Sequence, residues 1–439
     1  MPRILLLMAT RSYRSKAFMQ AARRQKVQVI VGSEHRTALA SKTRNTTLAL
    51  DFKHPARAVE RIVEFARDYP LSAVIGVDDD TTVLAAMAAD GLGLPHNSID
   101  AVRSSRDKFT TRGRLATGGL PSPWYQQLSI QAEPEQAAGQ APYPCVLKPV
   151  GLSASRGVIR ADNPSEFVTA FRRIIPMLGT EGTEDQHILV ESFVAGPEVA
   201  VEGLLTDGAL SVLALFDKPD PLDGPYFEET LYVTPSRLSP SWQAAIARTT
   251  SEAAAALGLR TGPIHAELRL NADPACVCTG EERPYVVEIA ARSIGGLCSN
   301  VLRFGAGLSL EELIIRHAIG SDPESLQREQ TAGGVMMLPI PRAGRLWQVL
   351  GKDDALRVPG VDGVDITIPI GQTVAPLPEG DRYLGFVFAR GDTPGAVEAA
   401  LRQAHERLRF DIREDGEAGG DETCLPARPA ARLPMIVGV

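Results

Sequence analysis

Two short apolar segments of the chain each carry one carboxylate. Glu267 lies in residues 264–270 and Glu288 in residues 285–290, both among hydrophobic neighbours. Because strand side chains alternate between faces, pairing of the segments as an antiparallel hairpin would bring the two carboxylates close together. Such a pair needs a proton or a cation between its members, and oxygen ligands beside phosphate are typical of Mg²⁺ sites. A solvated sheet edge is the alternative interpretation.

Two lysines accompany segments suited to phosphate binding. Lys148 ends an apolar strand and precedes a loop of small residues, 151–157, whose backbone N–H groups and Ser hydroxyls can approach a polyphosphate. The P-loop pattern is absent. Lys108 lies in the first turn of a predicted helix, where a cation opposes the helix dipole, so the position suggests another role. An ordinary surface lysine remains the alternative for each.

The segment 191–198 connects two predicted strands and contains Phe193 and Val194. An apolar residue at such a hinge can hold an adenine ring, while Glu198 can accept hydrogen bonds from ribose hydroxyls. A plain hairpin linker with a solvated glutamate is the alternative.

Size and composition indicate a multi-domain globular protein. The 439 residues predict roughly two to four domains. A net charge of −7 argues against nucleic acid as the main partner. We find no run long enough for a membrane span and no signal-peptide pattern. The five cysteines lack zinc-site spacing, so we interpret them as reduced and expect a cytoplasmic protein.

The first hundred residues alternate strand and helix signals, which favours a small parallel sheet with helices on its faces. No G-x-G-x-x-G follows the first strand, so a dinucleotide site is not predicted. Asp78, Asp79 and Asp80 lie between a strand and a helix, and we interpret them as helix-capping residues rather than as a functional site.

The remainder of the chain predicts a mixture of helices and strands. One helix is expected from residue 104 to 118. Further helices are expected at 164–178, 241–257 and 394–408, and strands at 188–191, 198–205, 333–339, 364–369 and 383–389. The segment after Glu414 is rich in Gly, Glu, Pro and Ala and is predicted to be poorly ordered.

Six motifs follow one another in a specific order. They are Ser-x-Asp-Lys at 105–108, Val-Leu-Lys-Pro at 146–149, the Ser/Gly loop to Gly157, Val-Glu-Ser-Phe-Val-x-Gly-x-Glu at 190–198, His-x-Glu at 265–267, and Glu-Ile-x-x-Arg at 288–292 with Gly295-Gly296. In these motifs the chain resembles the ATP-grasp superfamily of carboxylate–amine ligases over about residues 1–320. Within that superfamily it is similar to the L-amino acid ligases, which make dipeptides.

The resemblance implies an α/β and α+β chain with the ATP-grasp fold. The expected parts are an N-terminal Rossmann-like βαβ domain (1–103), two ATP-grasp α+β subdomains formed by a small or lid region (104–195) and a large catalytic region (196–330), a small C-terminal α+β domain (331–413) and a tail (414–439).

The resemblance also implies the site residues. ATP phosphates are expected on Lys108 and Lys148 under the loop residues Ser153, Ala154, Ser155 and Gly157, adenine on Glu191, Phe193 and Val194, and ribose on Glu198. Mg²⁺ or Mn²⁺ is expected on Glu267 and Glu288. Arg292 would face the transferred phosphate or the substrate carboxylate, and Lys148 would share in stabilising charge on the phosphoryl group. Gly295 and Gly296 would add backbone N–H donors near the acyl oxygen.

Substrate contacts are less specific. Glu228 or Glu229 is a candidate for binding an ammonium group, with a solvated loop residue as the alternative. His265 is a candidate for orienting a ligand or accepting a proton, with a packed strand histidine as the alternative. Ala290 departs from the family, which often has Asn there, so a neutral oxygen ligand is missing.

The reaction implied is ATP-dependent formation of an amide between an amino acid carboxylate and an amine, in particular that of a second amino acid, through an acyl phosphate. The alternatives are a natural-product amide synthetase using a non-amino carboxylate and a catalytically weakened ATP-binding protein. Small-molecule substrates and a homodimer are expected, without nucleic acid or membrane partners.

Overall fold

Four sheets and the helices packed on them make up the computed structural model, which describes residues 1–10, 12–34, 46–180, 186–270, 283–321, 325–414 and 425–426. Among the cysteines, Cys145 and Cys298 are buried and reduced, whereas Cys276, Cys278 and Cys424, like nearly all of the tail predicted to be poorly ordered, lie outside the described residues. Every described helix is too short or too polar to cross a bilayer.

The N-terminal sheet is parallel, with strand order β3-β2-β1-β4. Its elements are β1 (Arg3–Leu7), α1 (Ser15–Arg24), β2 (Gln28–Ser33), β3 (Thr47–Ala49), α2 (Pro55–Asp68), β4 (Ala73–Gly76) and α3 (Asp79–Gly91). Residues 4–7 are fully buried, as expected for a central parallel strand with helices over it. The predicted βαβ alternation is therefore confirmed.

Two short helices, α4 (Ile99–Arg106) and α5 (Lys108–Thr117), replace the single helix predicted from 104 to 118, so that prediction is wrong. Asp107 has an extended backbone (φ −94°, ψ 105°), and its carboxylate accepts a hydrogen bond from the Thr110 N–H at 2.7 Å. Asp107 thus caps α5 and makes Lys108 its first residue.

The second sheet is antiparallel, with order β5-β8-β6-β7. Its elements are β5 (Tyr125–Ser129), α6 (Pro134–Ala138), β6 (Cys145–Pro149), β7 (Ile159–Ala161), α7 (Pro164–Thr180) and β8 (His187–Ser192). The buried side chains of Phe167, Phe171 and Ile174 on α7 pack with those of the strands into one core. This packing fixes the strand that ends near Lys148.

The largest sheet has eight strands in the order β13-β12-β9-β10-β11-β14-β18-β16. Its strands and the intervening elements are β9 (Glu198–Thr206), β10 (Ala209–Lys218), β11 (Leu231–Thr234), α8 (Pro240–Leu257), β12 (Gly262–Arg269), β13 (Tyr285–Ala290), α9 (Leu310–Ala318), β14 (Ala332–Leu338), β16 (Val361–Ile366), β18 (Gly385–Gly391) and α11 (Pro394–Arg407). Strands from both sides of residue 330 pair in it, and the four proposed boundaries between the five parts of the chain remain predictions.

A fourth sheet has the order β17-β15-β19-β20. Its elements are β15 (Gly344–Leu350), α10 (Lys352–Leu356), β17 (Thr373–Val374), β19 (Arg409–Arg413) and β20 (Leu425–Pro426). The sequence analysis gave no strand at 344–350. Trp347 and Leu350 are exposed on β15, so its pattern does not show one buried face.

The predicted carboxylate hairpin forms from β12 and β13, which are antiparallel with Glu267 opposite Glu288. A register shift follows at once, since Leu268 pairs with Val286 rather than with Val287. The connecting residues 271–282 lie outside the described part of the chain. The backbone register of the pair is thereby confirmed.

Packing of α11 on β14 gives a test of this fold. A methyl group on Gly334 would lie 2.8 Å from Val397 Cγ1 and 2.9 Å from the Tyr232 carbonyl oxygen, whereas nothing lies within 4 Å of one on Gly395. We expect Gly334→Ala to lower stability by about 1–3 kcal/mol through overpacking. Gly395→Ala, in the first turn of the same helix, should be neutral or stabilising. Thermal unfolding of both variants checks this, and equal melting temperatures would contradict the packing.

Candidate active site

A cleft between the second sheet and the largest sheet brings together most of the predicted site residues. Those lining it are Lys108, Lys148, Ser153, Ser155, Glu191, Phe193, Val194, Glu198, Glu229, Glu267 and Glu288. The predicted residues that do not line it are Ala154, Gly157, Glu228, His265, Arg292, Gly295 and Gly296. The cleft therefore joins the lysine side and the carboxylate side of the sequence motifs.

On the basic side, Glu191 holds two cations. Its carboxylate lies 2.5 Å from Lys148 Nζ and also accepts a hydrogen bond from the Arg112 guanidinium. Burial would raise the pKa of Glu191, but Arg112 and Lys148 outweigh it and lower the pKa to about 2. Burial also lowers the pKa of Lys148. The carboxylate of Glu191 thus positions Lys148, which differs from its predicted role beside adenine.

Arg112 was missed by the sequence analysis. Besides Glu191, its guanidinium donates to the backbone carbonyl oxygens of Val286 at 2.6 Å and Val287 at 2.9 Å on β13. It therefore connects α5 to the strand that carries Glu288. A lone arginine within a short helix gives no sequence signal for contacts across 174 residues.

The Ser/Gly loop is held from both of its ends. Lys108 Nζ donates to the Leu152 carbonyl oxygen at 2.5 Å, and the Gly157 N–H donates to the Pro378 carbonyl oxygen at 2.9 Å. Ala154 and Ser155 have φ of 58° and 55°, a conformation that costs non-glycine residues energy. The loop backbone is thus strained next to the two lysines.

The acidic side is organised around one ammonium group. Lys218 Nζ lies 2.6 Å from Glu198, 2.6 Å from Glu229 and 3.0 Å from Glu267. The three carboxylates each offer an oxygen within 4.8 Å of the others, a geometry that can hold a metal ion. Carboxylate oxygens are also the ligands that Mg²⁺ prefers.

The same contacts revise two predicted roles. Glu198 binds Lys218 through one oxygen and Arg269 Nε, at 2.8 Å, through the other, so its carboxylate is engaged by side chains rather than available to ribose. Glu229 binds the ammonium of Lys218 and accepts from the Tyr232 hydroxyl at 2.7 Å. Lys218 was not among the residues that the sequence analysis singled out.

The carboxyl groups of Glu229 and Glu267 differ in how readily they lose their proton. Burial and the charge of Glu267 raise the pKa of Glu229 to about 7. Burial acts in the same direction on Glu267, but Lys218 and the His265 hydrogen bond keep the pKa of Glu267 well below its ordinary value. Glu267 is therefore the carboxylate of this pair that keeps its negative charge.

His265 lies behind Glu267 rather than in the cleft. Its Nε2 is 3.4 Å from Glu267 Oε1, it is 6% exposed, and its Cα is paired with that of Ala290 across β12 and β13. Nδ1 is buried and has no hydrogen-bond partner among the described residues. This position suits orientation of Glu267 rather than contact with a substrate.

Asp79, the first residue of helix α3 beside the N-terminal sheet, contacts the site. Its carboxylate lies 2.8 Å from Arg292 Nη2, and both side chains are largely buried. Burial would lower the pKa of Arg292, but Asp79 outweighs it and raises the pKa well above the ordinary value. Asp79 lines one end of the cleft together with Lys108 and Lys148. The sequence analysis gave Asp79 only a capping role at the start of α3, whereas its carboxylate also binds Arg292.

The glycine pair is placed differently from the prediction. The Gly296 N–H donates to the Tyr13 hydroxyl at 2.9 Å, and an ideal Cβ on Gly295 would lie 3.4 Å from the same oxygen. The segment that follows is a single 3₁₀ turn, Cys298–Val301. The Gly296 N–H is therefore engaged by the protein.

At the opposite end of the cleft, Phe193 is flanked by cations. The Arg160 and Arg269 guanidinium carbons lie 4.3 Å and 5.0 Å from its ring centroid. Arg269 also donates to the Val194 carbonyl oxygen at 2.7 Å. These contacts order the hinge that was predicted to hold adenine.

Comparison with known families finds matches in three segments of the chain. Residues 19–96 match the ATP-grasp N-terminal domain, residues 141–301 the ATP-grasp domain, and residues 336–413 the L-amino acid ligase C-terminal domain 2. The chain belongs to the ATP-grasp ligases. Enzymes of this class use ATP with Mg²⁺, and the donor groups of the cleft, lysine ammonium and carboxylate oxygen, fit both.

Individual relatives of this ATP-grasp ligase are distant. Alanine–anticapsin ligase of Bacillus subtilis is 23% identical over 60% of this chain and 60% of its own length. Dapdiamide A synthase of Enterobacter agglomerans is 25% identical over 54% of each chain. The chain thus spans little more than half the length of these two curated relatives.

The fold has close counterparts among solved structures. The L-amino acid ligase from Bacillus licheniformis superposes with a TM-score of 0.76, at 23% identity, over 94% of this chain and 99% of that one. Carboxyaminoimidazole ribonucleotide synthase from Aspergillus clavatus, solved with ATP, superposes with a TM-score of 0.69 at 16% identity, over 92% and 97% of the two chains. At these identities the likeness establishes the ATP-grasp fold.

The stability that the ion pairs of Glu191 contribute should depend on pH. Its lowered pKa means that the ion pairs add stability above the unfolded value of 4.5 and lose it as the pH falls toward about 2. Glu191→Gln should cost about 3 kcal/mol at pH 7, and its difference from wild type should shrink below pH 4.5. Urea unfolding from pH 7 to pH 3 measures this. The exposed Glu64→Gln is the control, and a constant difference would contradict the assignment.

The role of the Lys218 ammonium can be tested by removing it and adding Mg²⁺. Lys218→Met leaves the carboxylates of Glu198, Glu229 and Glu267 without their shared cation, which should cost about 3–5 kcal/mol. Added MgCl₂ should then raise the melting temperature of the variant more than that of wild type, because the ion replaces the ammonium. The exposed Lys352→Met is the control. A variant as stable as wild type would contradict the central role of the ammonium.

Proposed function

We propose that this ATP-grasp ligase joins the carboxyl group of one amino acid to the amine of a second, converting ATP to ADP and phosphate. The observation that carries the proposal is the cleft itself, in which Lys108 and Lys148 face the carboxylates of Glu267 and Glu288. The relatives named above that form amides, and the L-amino acid ligase C-terminal domain matched at 336–413, support it.

The chemistry needs both sides of the cleft. A carboxylate oxygen attacks the γ-phosphorus of ATP and displaces ADP, which gives an acyl phosphate. The amine nitrogen then attacks the acyl carbon, phosphate leaves, and the nitrogen loses a proton. Charge on the phosphoryl oxygens rises during the first step, so positioned cations supply most of the stabilisation.

We assign the residues accordingly. Lys148, oriented by Glu191, and Lys108, at the first turn of α5, would bind the phosphates under the loop residues Ser153 and Ser155. Phe193 and Val194 would contact adenine at the cation-lined end of the cleft.

Glu267 and Glu288 would bind Mg²⁺, which when bound neutralises phosphate charge. Lys218, Tyr232 and His265 all contact Oε1 of Glu267 and hold that carboxylate in place. Arg292 would act near the transferred phosphate, positioned by Asp79.

A screen for hydroxamate formation tests the reaction. Wild-type protein with Mg·ATP, hydroxylamine and each amino acid singly should form an acyl hydroxamate from the accepted donor, because hydroxylamine traps an acyl phosphate. Phosphate release over amino acid pairs then identifies the acceptor. Hydroxamate only from non-amino carboxylates would indicate a natural-product amide synthetase. ATP binding without any turnover would indicate weakened chemistry, for which Ala290 gives a reason.

Glu288→Gln removes a charged metal ligand while keeping the side-chain size. We expect turnover to fall at least roughly a hundredfold, since transition-state charge stabilisation of this kind is worth several kcal/mol. Melting temperature without metal should change by less than a few degrees, because Glu288 forms no described ion pair. Glu311→Gln, a buried glutamate of α9, serves as the control outside the cleft. Unchanged turnover in Glu288→Gln would exclude the metal assignment.

We further propose a cytoplasmic location, since the reaction consumes ATP, and a homodimer, which remains a prediction of the resemblance. Light scattering of the purified protein measures the second.

A further inference from the structure

A second cavity, of about 640 Å³, lies beside the catalytic cleft. It is enclosed by Tyr13 from the N-terminal part of the chain, Ala154 of the Ser/Gly loop, and residues between 345 and 386 of the C-terminal part. This volume is within the range of small-molecule sites. The sequence analysis and the reaction proposed above leave it without a role.

One wall of the cavity is aromatic. The ring centroid of Phe386 lies 5.6 Å from that of Tyr13 and 6.0 Å from that of Tyr383. Phe386 is buried, but Tyr13 is 44% exposed. A large exposed ring on a concave surface offers apolar area that a bound ligand can cover.

This wall adjoins the reacting groups. The Tyr13 hydroxyl accepts from the Gly296 N–H at 2.9 Å, and Ala154 lies between the two serines that line the ATP cleft. Burial, followed by the nearby charge of Glu229, raises the pKa of Tyr383. The cavity therefore begins next to the Ser/Gly loop and the Tyr13–Gly296 contact, and the charge of Glu229 reaches Tyr383 in its lining.

The cavity also contains a weakly engaged cation. Arg382 is exposed, and its nearest described partners are Gln372 at 3.4 Å and Asp381 at 3.5 Å. The arginines nearer the reacting groups differ, since Arg14 is buried and Arg292 largely buried, and both are hydrogen-bonded or ion-paired within the protein at 2.6–3.0 Å. Arg382 is thus available to a ligand in a way that those arginines are not.

We propose that this cavity binds the amine substrate as an α-amino acid with an aromatic or large aliphatic side chain, which packs on Tyr13 and Phe386 while its carboxylate pairs with Arg382. The inference rests on the proposed ligase function. The amine substrate keeps its own carboxylate, which needs a cation separate from those that bind phosphate. The activated carboxylate, in contrast, must lie at the phosphate end of the cleft.

The carboxylate contact is tested with matched acceptors. Arg382→Gln should raise the KM for L-phenylalanine roughly tenfold, as expected for loss of a charged hydrogen bond. It should leave the KM for L-phenylalaninamide, which lacks the carboxylate, unchanged. Arg357→Gln, at a surface pair with Asp354, should change neither KM. An equal loss with both acceptors would overturn the assignment of Arg382.

The aromatic wall is tested at Tyr13. Tyr13→Ala should lower the preference for phenylalanine over glycine as acceptor roughly tenfold. Tyr13→Phe keeps the ring and loses the hydroxyl, so it should keep the preference even if its kcat falls with the lost Gly296 contact. A preference unchanged in Tyr13→Ala would overturn the wall as a specificity surface.

Donor activation separates this inference from the ligase proposal. Hydroxamate formation with hydroxylamine needs no amino acid acceptor, so it should proceed equally in wild type and Arg382→Gln. Loss of it in Arg382→Gln would place the cavity on the donor side and overturn the inference. If wild type forms no hydroxamate, calorimetric titration of L-phenylalanine with a non-hydrolysable Mg·ATP analogue still decides: binding weakened by Arg382→Gln supports the cavity, and no binding to wild type overturns it.

Discussion

The structure of the acidic side depends on one ammonium group shared by three carboxylates. Lys218 ends β10 and is paired in register with Glu198 at the start of β9, which is paired in turn with Arg269 at the end of β12. Charges therefore alternate across three neighbouring strands, an arrangement that stabilises a sheet, whereas like charges would oppose it. Glu229 and Glu267 can approach Glu198 only because this ammonium lies between them.

The basic side repeats the arrangement with the signs exchanged, since one carboxylate, Glu191, holds two cations. Both clusters are buried and hydrogen-bonded, so their charged groups are oriented before any ligand arrives, which is the property that electrostatic catalysis requires. Arg112 joins the two sides, because it binds Glu191 and also the backbone of β13. A displacement of one sheet would therefore be transmitted to the carboxylate of Glu288.

Local patterns predicted much of this molecule, and distant contacts account for what they missed. Alternation of apolar residues and the motif order were enough for the parallel sheet, the register of Glu267 with Glu288, and the ATP-grasp fold. The partner of Arg292, Asp79, begins helix α3 more than 200 residues earlier in the chain, and nothing in either segment specifies their contact. The helix break at Asp107 was missed because a cap competes with helix propensity within a single turn.

The residues of the proposed phosphate and metal sites and those of the proposed acceptor cavity lie on different kinds of structure. Lys148, Lys218 and Glu267 lie on strands held in register by their neighbours, which suits chemistry that tolerates little displacement. Tyr13, Ala154 and Arg382 lie outside helices and strands, on segments from three separate parts of the chain. Loop positions accept substitution without disturbing a sheet. In the proposed ligase, substitutions in these segments can therefore change substrate choice, while the proposed phosphate and metal sites keep the positions that the sheets fix.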